Sequence, residues 1–244
     1  SRPFRVRIKN QFNDNYDYYY VKLADASRVY GLEFEDLLSP NQINYLVDSD
    51  TLVEEHIIGI PGDQFIRNNL DGKDMNATRL AKEFIKFNER CFVRLLGDMR
   101  SYNFVIDMTA DFDDTQFRFR AIDFDQQCYE GKKTLYLPQY FKENNPYVEL
   151  CLKYINKETS RQYQLEERTM MARRLKTSRF RIAALLEVLE HDQVSQKEKV
   201  NQLKSELAEH YQKESFKKSK NMGDVMRISL EHLLEDSPEG GTTL

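Results

Sequence analysis

Glycine is scarce in this chain, nine of 244 residues, and none precedes Gly31. That leaves no glycine-rich loop in the first thirty residues through which backbone amides could close on phosphate. Cysteine is scarcer. Cys91, Cys128 and Cys151 are odd in number and show neither paired nor metal-type spacing, so they read as free thiols in a reducing compartment, with the cytoplasm as the expected location. No apolar run approaches the roughly 20 residues that a membrane-spanning helix needs. The opening SRPFRVRIKN has no apolar segment of signal-peptide type, and a start at Ser1 rather than methionine leads us to expect further residues upstream. Internal repeats are absent. His56 reads as a packing or hydrogen-bonding residue, and His191, His210 and His232 lack metal spacing. No Ser/His/Asp or Cys/His arrangement for nucleophilic catalysis stands out.

What is present is ordinary for a soluble globular protein: 40% apolar and 31% charged residues, with a polar mean hydropathy of -0.70. The net charge of -4 hides an asymmetry, because residues 152–220 carry 16 Lys/Arg against 10 Asp/Glu while residues 1–151 carry 19 against 25. A basic helical half can face an acidic partner or nucleic acid. A solvated helix surface is the plainer reading, and nucleic acid ranks low among the expected partners.

The periodicity changes along the chain. FRVRI (4–8) alternates apolar and basic residues, YDYYYVKLA (16–24) is dense in aromatic and β-branched residues, and the two predict strands joined by NQFNDN. GLEFEDLLSP predicts a short helix stopped by Pro40, INYLVD and TLVEEHI predict strands, and GIPGD is punctuation. From Asn76 the period is helical through Leu80, Phe84, Phe87, Cys91 and Leu95, with an end expected at Gly97. FVID and FRFRAID predict a hairpin around TADFDDT. Asp111, Asp113 and Asp114 in that turn lack the glycine and terminal glutamate of a calcium loop. Beyond Pro146 helices dominate, with Ser195 and Glu198 as a capping box and Gly223 between two helices. The plan is α+β, with a β-rich front over 1–57, a helical part over 58–236 and a flexible tail at 237–244.

The chemistry sits in LLGDMRSYNF and RAIDFD. Phosphoryl transfer requires a carboxylate near the attacking hydroxyl and hard oxygen ligands that hold magnesium against nucleotide phosphates. Asp98 and Asn103 lie five residues apart after a helix, and a hairpin returns Asp123 beside them.

These residues resemble the D-x-x-x-x-N catalytic loop and I-D-F-D metal strand end of the protein-kinase-like superfamily. LLGDMRSYNFVID looks like the loop of atypical and small-molecule members, such as the aminoglycoside-phosphotransferase-like and HipA-like kinases. TLVEEHIIGIPGDQF resembles the last strand and hinge of a small N-terminal lobe, and YYYVKLAD the strand that presents a phosphate-binding lysine. The resemblance spans about residues 16 to 125. It implies a two-lobed fold and transfer of a phosphoryl group from ATP with Mg2+ to a hydroxyl. Asp98 would orient that hydroxyl, Asn103 and Asp123 would hold the metal, and Arg100 would meet the transferring phosphate. Lys22 would contact the nucleotide phosphates, paired with an acid of the next helix, Glu33, Glu35 or Asp36, among which helical spacing does not select. Asp125 is a secondary metal candidate.

Three features depart from the family. With no glycine before Gly31, the glycine-rich loop is either upstream of Ser1, replaced by NQFNDN or missing, and Tyr20 shares the face of Lys22 where protein kinases keep a small residue against the adenine. Residues 126–150 contain no A-P-E-like segment. A catalytically inactive kinase-fold module, docking a protein partner on the helices after residue 157, is therefore the alternative. The tyrosines at 16, 18, 19 and 20 read as edge-strand packing rather than as an RNA-binding sheet.

Overall fold

A computed structural model of the chain describes residues 3–9, 11–70, 72, 75–111 and 114–236. Asp113 and the tail read at 237–244 lie outside the described residues. The architecture is α+β, as expected. Strands β1 (Phe4–Lys9), β2 (Tyr16–Leu23), β3 (Tyr45–Asp48) and β4 (Thr51–Glu55) form an antiparallel sheet in the order β1-β2-β4-β3. Its outer face is left open: Phe4, Val21, Val53 and Leu46 lie in one cross-strand row, with Phe4 76% and Leu46 66% exposed. The tyrosine-rich strand β2 is interior to the sheet, and β1 forms the edge. Tyr18 and Tyr16 lie under the guanidinium groups of Arg5 and Arg7 at 4.5 and 4.4 Å, so cation-π contact with the edge strand accounts for these two tyrosines.

Helix α1 (Ala26–Leu38) starts earlier than its apolar period suggests. Asp25 caps it, accepting from Arg28 N at 2.9 Å. After β5 (Ile60–Pro61) and the short α2 (Gly62–Asn68), helix α3 (Ala77–Val93) runs through the middle of the protein. One side of α3 packs on the hairpin of β6 (Phe104–Asp111) and β7 (Asp114–Ala121), where Phe84, Phe87, Phe104, Phe119 and Tyr147 form an aromatic cluster with ring centroids 5.2–6.0 Å apart. α4 (Asn145–Tyr154) joins this core through Tyr147, while the other side of α3 meets α5 (Lys157–Thr177) and shares a second core with α6 (Arg179–His191), α7 (Lys197–Tyr211) and α8 (Met222–Glu235).

Several local expectations change. α3 ends at Val93 because Leu95 turns into the left-handed region (φ 54°), and two bonds close the end: Leu96 N to Cys91 O at 2.9 Å and Leu95 N to Phe92 O at 3.2 Å. This is the bonding of a Schellman motif, with leucine in the place glycine usually takes. Ser195 caps no helix, since its hydroxyl donates to Tyr129 O at 2.7 Å, and Gln196 precedes α7 without a side-chain cap. Gly223 lies inside α8 rather than between helices. A Cβ there would stand 2.5 Å from Glu190 N, so its role is the close approach of α8 to α6. The three cysteines are free, and burial pushes the Cys91 and Cys128 thiols up to about 12. Among the described residues, no helix is long and apolar enough to cross a membrane.

Candidate functional site

The site grows from the end of α3. The Leu95 turn directs the chain into the loop at 96–103, and Asp98 also has positive φ (54°). Aspartate tolerates this conformation better than most residues. Backbone bonds then fasten the loop to the segment that leaves the hairpin after β7: Gly97 N to Gln126 O at 3.2 Å, Cys128 N to Leu95 O at 2.9 Å and Ile122 N to Asn103 O at 3.0 Å. Buried Asn144 closes the other side, donating to Met99 O and Pro138 O at 2.8 Å each. The hairpin thus returns Asp123 beside the loop, as its sequence predicts.

Asn103 binds Asp98 twice through Nδ2, at 2.7 Å to the backbone oxygen and 3.3 Å to Oδ2. The other carboxylate oxygen of Asp98 accepts from Arg100 Nε at 2.7 Å. Arg100 also donates to Glu143 Oε1 at 2.9 Å and lies over the Phe141 ring at 5.1 Å. Its bond to Asp98, ahead of that to Glu143, raises the guanidinium further above its ordinary value. Arg100 is committed to these partners and does not line the adjoining cleft.

That cleft has a volume of about 380 Å³ and lies between the four-stranded sheet and the hairpin. Tyr20, Lys22, Glu54, Asn103, Asp123 and Asp125 are among its walls. Strand alternation places Tyr20 and Lys22 on one face, as expected. Tyr20 packs edge-on against His56 with centroids 5.6 Å apart, and burial pushes the His56 imidazole below its ordinary value.

The partner of Lys22 is not on α1. Lys22 forms an ion pair with Glu54 of β4, both side chains about nine-tenths buried. Burial raises the Glu54 carboxyl in spite of the lysine. The three helix acids are engaged elsewhere. Glu33 accepts from the Tyr45 hydroxyl and, at 3.1 Å, from Arg181; Asp36 accepts from Arg181 at 3.2 Å; Glu35 is buried against Arg94 at the end of α3. Glu33 does not line the cleft. The reason lies in the sheet register. Tyr20 is opposite Glu54, which puts Glu54 diagonal to Lys22 on the same face and nearer than any acid of the helix.

Sequence reading also missed Arg28. It lines the cleft and joins Asp25, Asp125 (3.2 Å) and Asp123 (3.9 Å). The only signal was a glycine three residues on, inside a helix. A Cβ at Gly31 would stand 2.7 Å from Phe124 Cβ, so its absence lets α1 lie against the residue between the two acids.

The donor set suits a hard cation. Among the described residues Asp123 Oδ1, although buried, has no hydrogen-bond partner. Asn103 turns its amide nitrogen to Asp98, which leaves its oxygen as the acceptor for the cleft. Burial, then the neighbouring Asp123, lifts the Asp125 carboxyl, with Arg28 opposing. Among the described residues no group of three or more His, Cys, Asp or Glu side chains could hold a metal unaided. A small divalent ion would draw its remaining ligands from Asn103, water and ligand oxygens, as magnesium commonly does at phosphate sites. No protein-family model matches this chain, and no curated protein matches it.

Proposed function

We propose that the chain is a magnesium- and ATP-dependent phosphotransferase of atypical, kinase-like, two-lobed fold, acting on a hydroxyl acceptor. The observation that carries this reading is that Lys22, Asn103 and Asp123 line one cleft while Asn103 is hydrogen-bonded to Asp98 just beside it. Asn103 and Asp123 hold magnesium, which supplies charge neutralisation to the phosphates. Lys22 meets a phosphate oxygen, exchanging part of its pairing with Glu54. Tyr20, braced by His56, offers an aromatic wall to the base. Asp98, oriented by Arg100 and Asn103, accepts a hydrogen bond from the acceptor hydroxyl and fixes it for in-line attack. Arg100 acts here by orienting Asp98 rather than by touching phosphate.

The test is thermal unfolding with magnesium and a non-hydrolysable ATP analogue. At a hundredfold excess over Kd, ligand binding adds about 2.7 kcal/mol, which for a chain of this size is a rise in Tm of about 5–10 °C. Asp123→Asn should lose most of that rise. Wild-type protein with neither a shift nor ATP consumption ends the proposal. The pairing of Lys22 with Glu54 and of Arg28 with the cleft acids favours a second reading, a catalytically inactive kinase-fold module acting through the helices after residue 157. Under it, nucleotide consumption stays at background and Asp98→Asn leaves cellular function intact.

A further inference from the structure

Arg28 has no task in the scheme above, yet it is built into the cleft. Its backbone amide is capped by Asp25 Oδ1 at 2.9 Å, and its guanidinium pairs with the other oxygen of the same carboxylate. The same guanidinium reaches Asp125 Oδ2 at 3.2 Å and stands 3.9 Å from Asp123 Oδ1. Only about 10% of the side chain is exposed, and the close approach of Gly31 to Phe124 fixes the helix that carries it. A fixed cation therefore rests on the carboxylates expected to hold magnesium.

We propose that Arg28 is the resident counter-cation of the cleft acids and couples the entry of magnesium to the entry of nucleotide. This rests on the phosphotransferase reading of the site. A divalent ion and a guanidinium cannot share the same carboxylate oxygens without strong repulsion at separations of a few ångströms. Metal alone must part Arg28 from Asp123 and Asp125 while Asp25 keeps its guanidinium close by, and the crowding of two cations makes the metal bind weakly. Nucleotide phosphates provide a new partner, since a guanidinium matches phosphate with two parallel bonds. Nucleotide and metal then strengthen each other's binding by the same factor.

The experiment uses the full chain and Mn2+ as the probe, with free ion followed by electron paramagnetic resonance, in the presence and absence of ADP. Wild type should bind Mn2+ weakly alone and much more tightly with ADP. Arg28→Gln should bind Mn2+ alone on the order of tenfold more tightly than wild type, the scale of one charge-assisted hydrogen bond, and its enhancement by ADP should shrink. Arg28→Lys keeps the charge and the pairing with Asp25 but loses the fork, so it should stay near wild type without ADP and gain less from ADP. Equal or weaker binding of Mn2+ alone by Arg28→Gln overturns the proposal. If that variant does not fold, wild type in which Mn2+ and ADP bind independently overturns it without any variant. Wild type that binds Mn2+ with ADP, beside an Arg28→Gln no tighter for the ion, removes only the role of Arg28. Failure of every form to bind Mn2+, with or without ADP, removes the phosphotransferase reading as well.

Discussion

Replacing Glu35 with glutamine tests whether α1 is held to the rest of the protein by a buried charge pair. Glu35 and Arg94 are 2% and 1% exposed and hydrogen-bonded to each other, and Asn41 Nδ2 donates to Glu35 Oε1 at 3.3 Å. Removing one member of such a pair typically costs about 3–5 kcal/mol, because the other charge stays buried without compensation. The glutamine amide oxygen still accepts one bond from Arg94, which returns about 1 kcal/mol. The net loss is about 2–4 kcal/mol, a large share of the roughly 5–15 kcal/mol that holds a protein folded. Urea unfolding followed by circular dichroism reads it directly, and Tm should fall by about 5–15 °C at this chain length.

The pH dependence has a defined sign. Burial works to raise the Glu35 carboxyl, but Arg94 and then Arg90 outweigh it and hold the group below its ordinary value of 4.5. A depressed folded value means that the unfolded chain takes up the proton first as pH falls. The stabilisation is complete above 4.5 and drains away as pH drops through the folded value. The gap between wild type and Glu35→Gln should therefore narrow only below pH 4.5. In the double variant Glu35→Leu with Arg94→Met, an apolar pair of similar size should recover most of the loss. A loss below about 1 kcal/mol in Glu35→Gln, or a double variant as poor as the sum of the singles, refutes the reasoning.

Two substitutions test the local geometry. Gly31→Val drives a branched side chain into Phe124 from an initial 2.7 Å, so α1 must shift; we expect a loss of about 1–3 kcal/mol together with a reduced Tm response to magnesium and nucleotide. Unchanged stability would show that α1 has room to spare. Leu95→Gly relieves a left-handed leucine by about 1 kcal/mol but deletes a fully buried side chain worth about 2–5 kcal/mol, so urea unfolding should show a net loss; a gain would mean that the turn, not the packing, governs this helix end.

The secondary structure was largely legible because periodicity records burial. Leu80, Phe84, Phe87 and Cys91 are all buried on α3, and FRVRI and YDYYYVKL are strands. The hairpin between Asn103 and Asp123 was legible for the same reason, and with it the meeting of loop and strand end. Helix ends were less so: Leu95 carries no glycine signal, and its turn buries Leu95 in the helical core and Leu96 in the aromatic one. The alternation of Tyr20 and Lys22 could be read within one strand. Which strand lies next to β2, and in what register, depends on contacts distant in sequence, so Glu54 stayed hidden behind three acids that were merely closer along the chain. Arg28 was missed for a similar reason, since its partners Asp123 and Asp125 lie nearly a hundred residues away.

These missed pairings share a design. Arg28, Gly31 and Glu35 are spaced three and then four residues apart, which places them on one face of α1. Arg28 holds the acids that follow β7, Gly31 seats the helix on Phe124 between them, and Glu35 grips Arg94. Arg94 directly precedes the Leu95 turn, and its backbone oxygen accepts from buried Gln127 of the segment after β7 that carries Asp123 and Asp125. The helix is thus fastened to both chain segments that line the candidate site: at Asp123 and Asp125 directly, at Phe124 between them, and through Arg94, four residues before Asp98. A cation that displaces Arg28 at one end of this face changes the balance of charge on a helix whose other end is locked by a buried pair. Because the lock at Glu35 makes large excursions of α1 costly, the response to metal and nucleotide bound as proposed would be confined to the Arg28 side chain. Metal and nucleotide should therefore exchange partners within a nearly fixed cleft, and weakening Glu35 should loosen that cleft before it unfolds the protein.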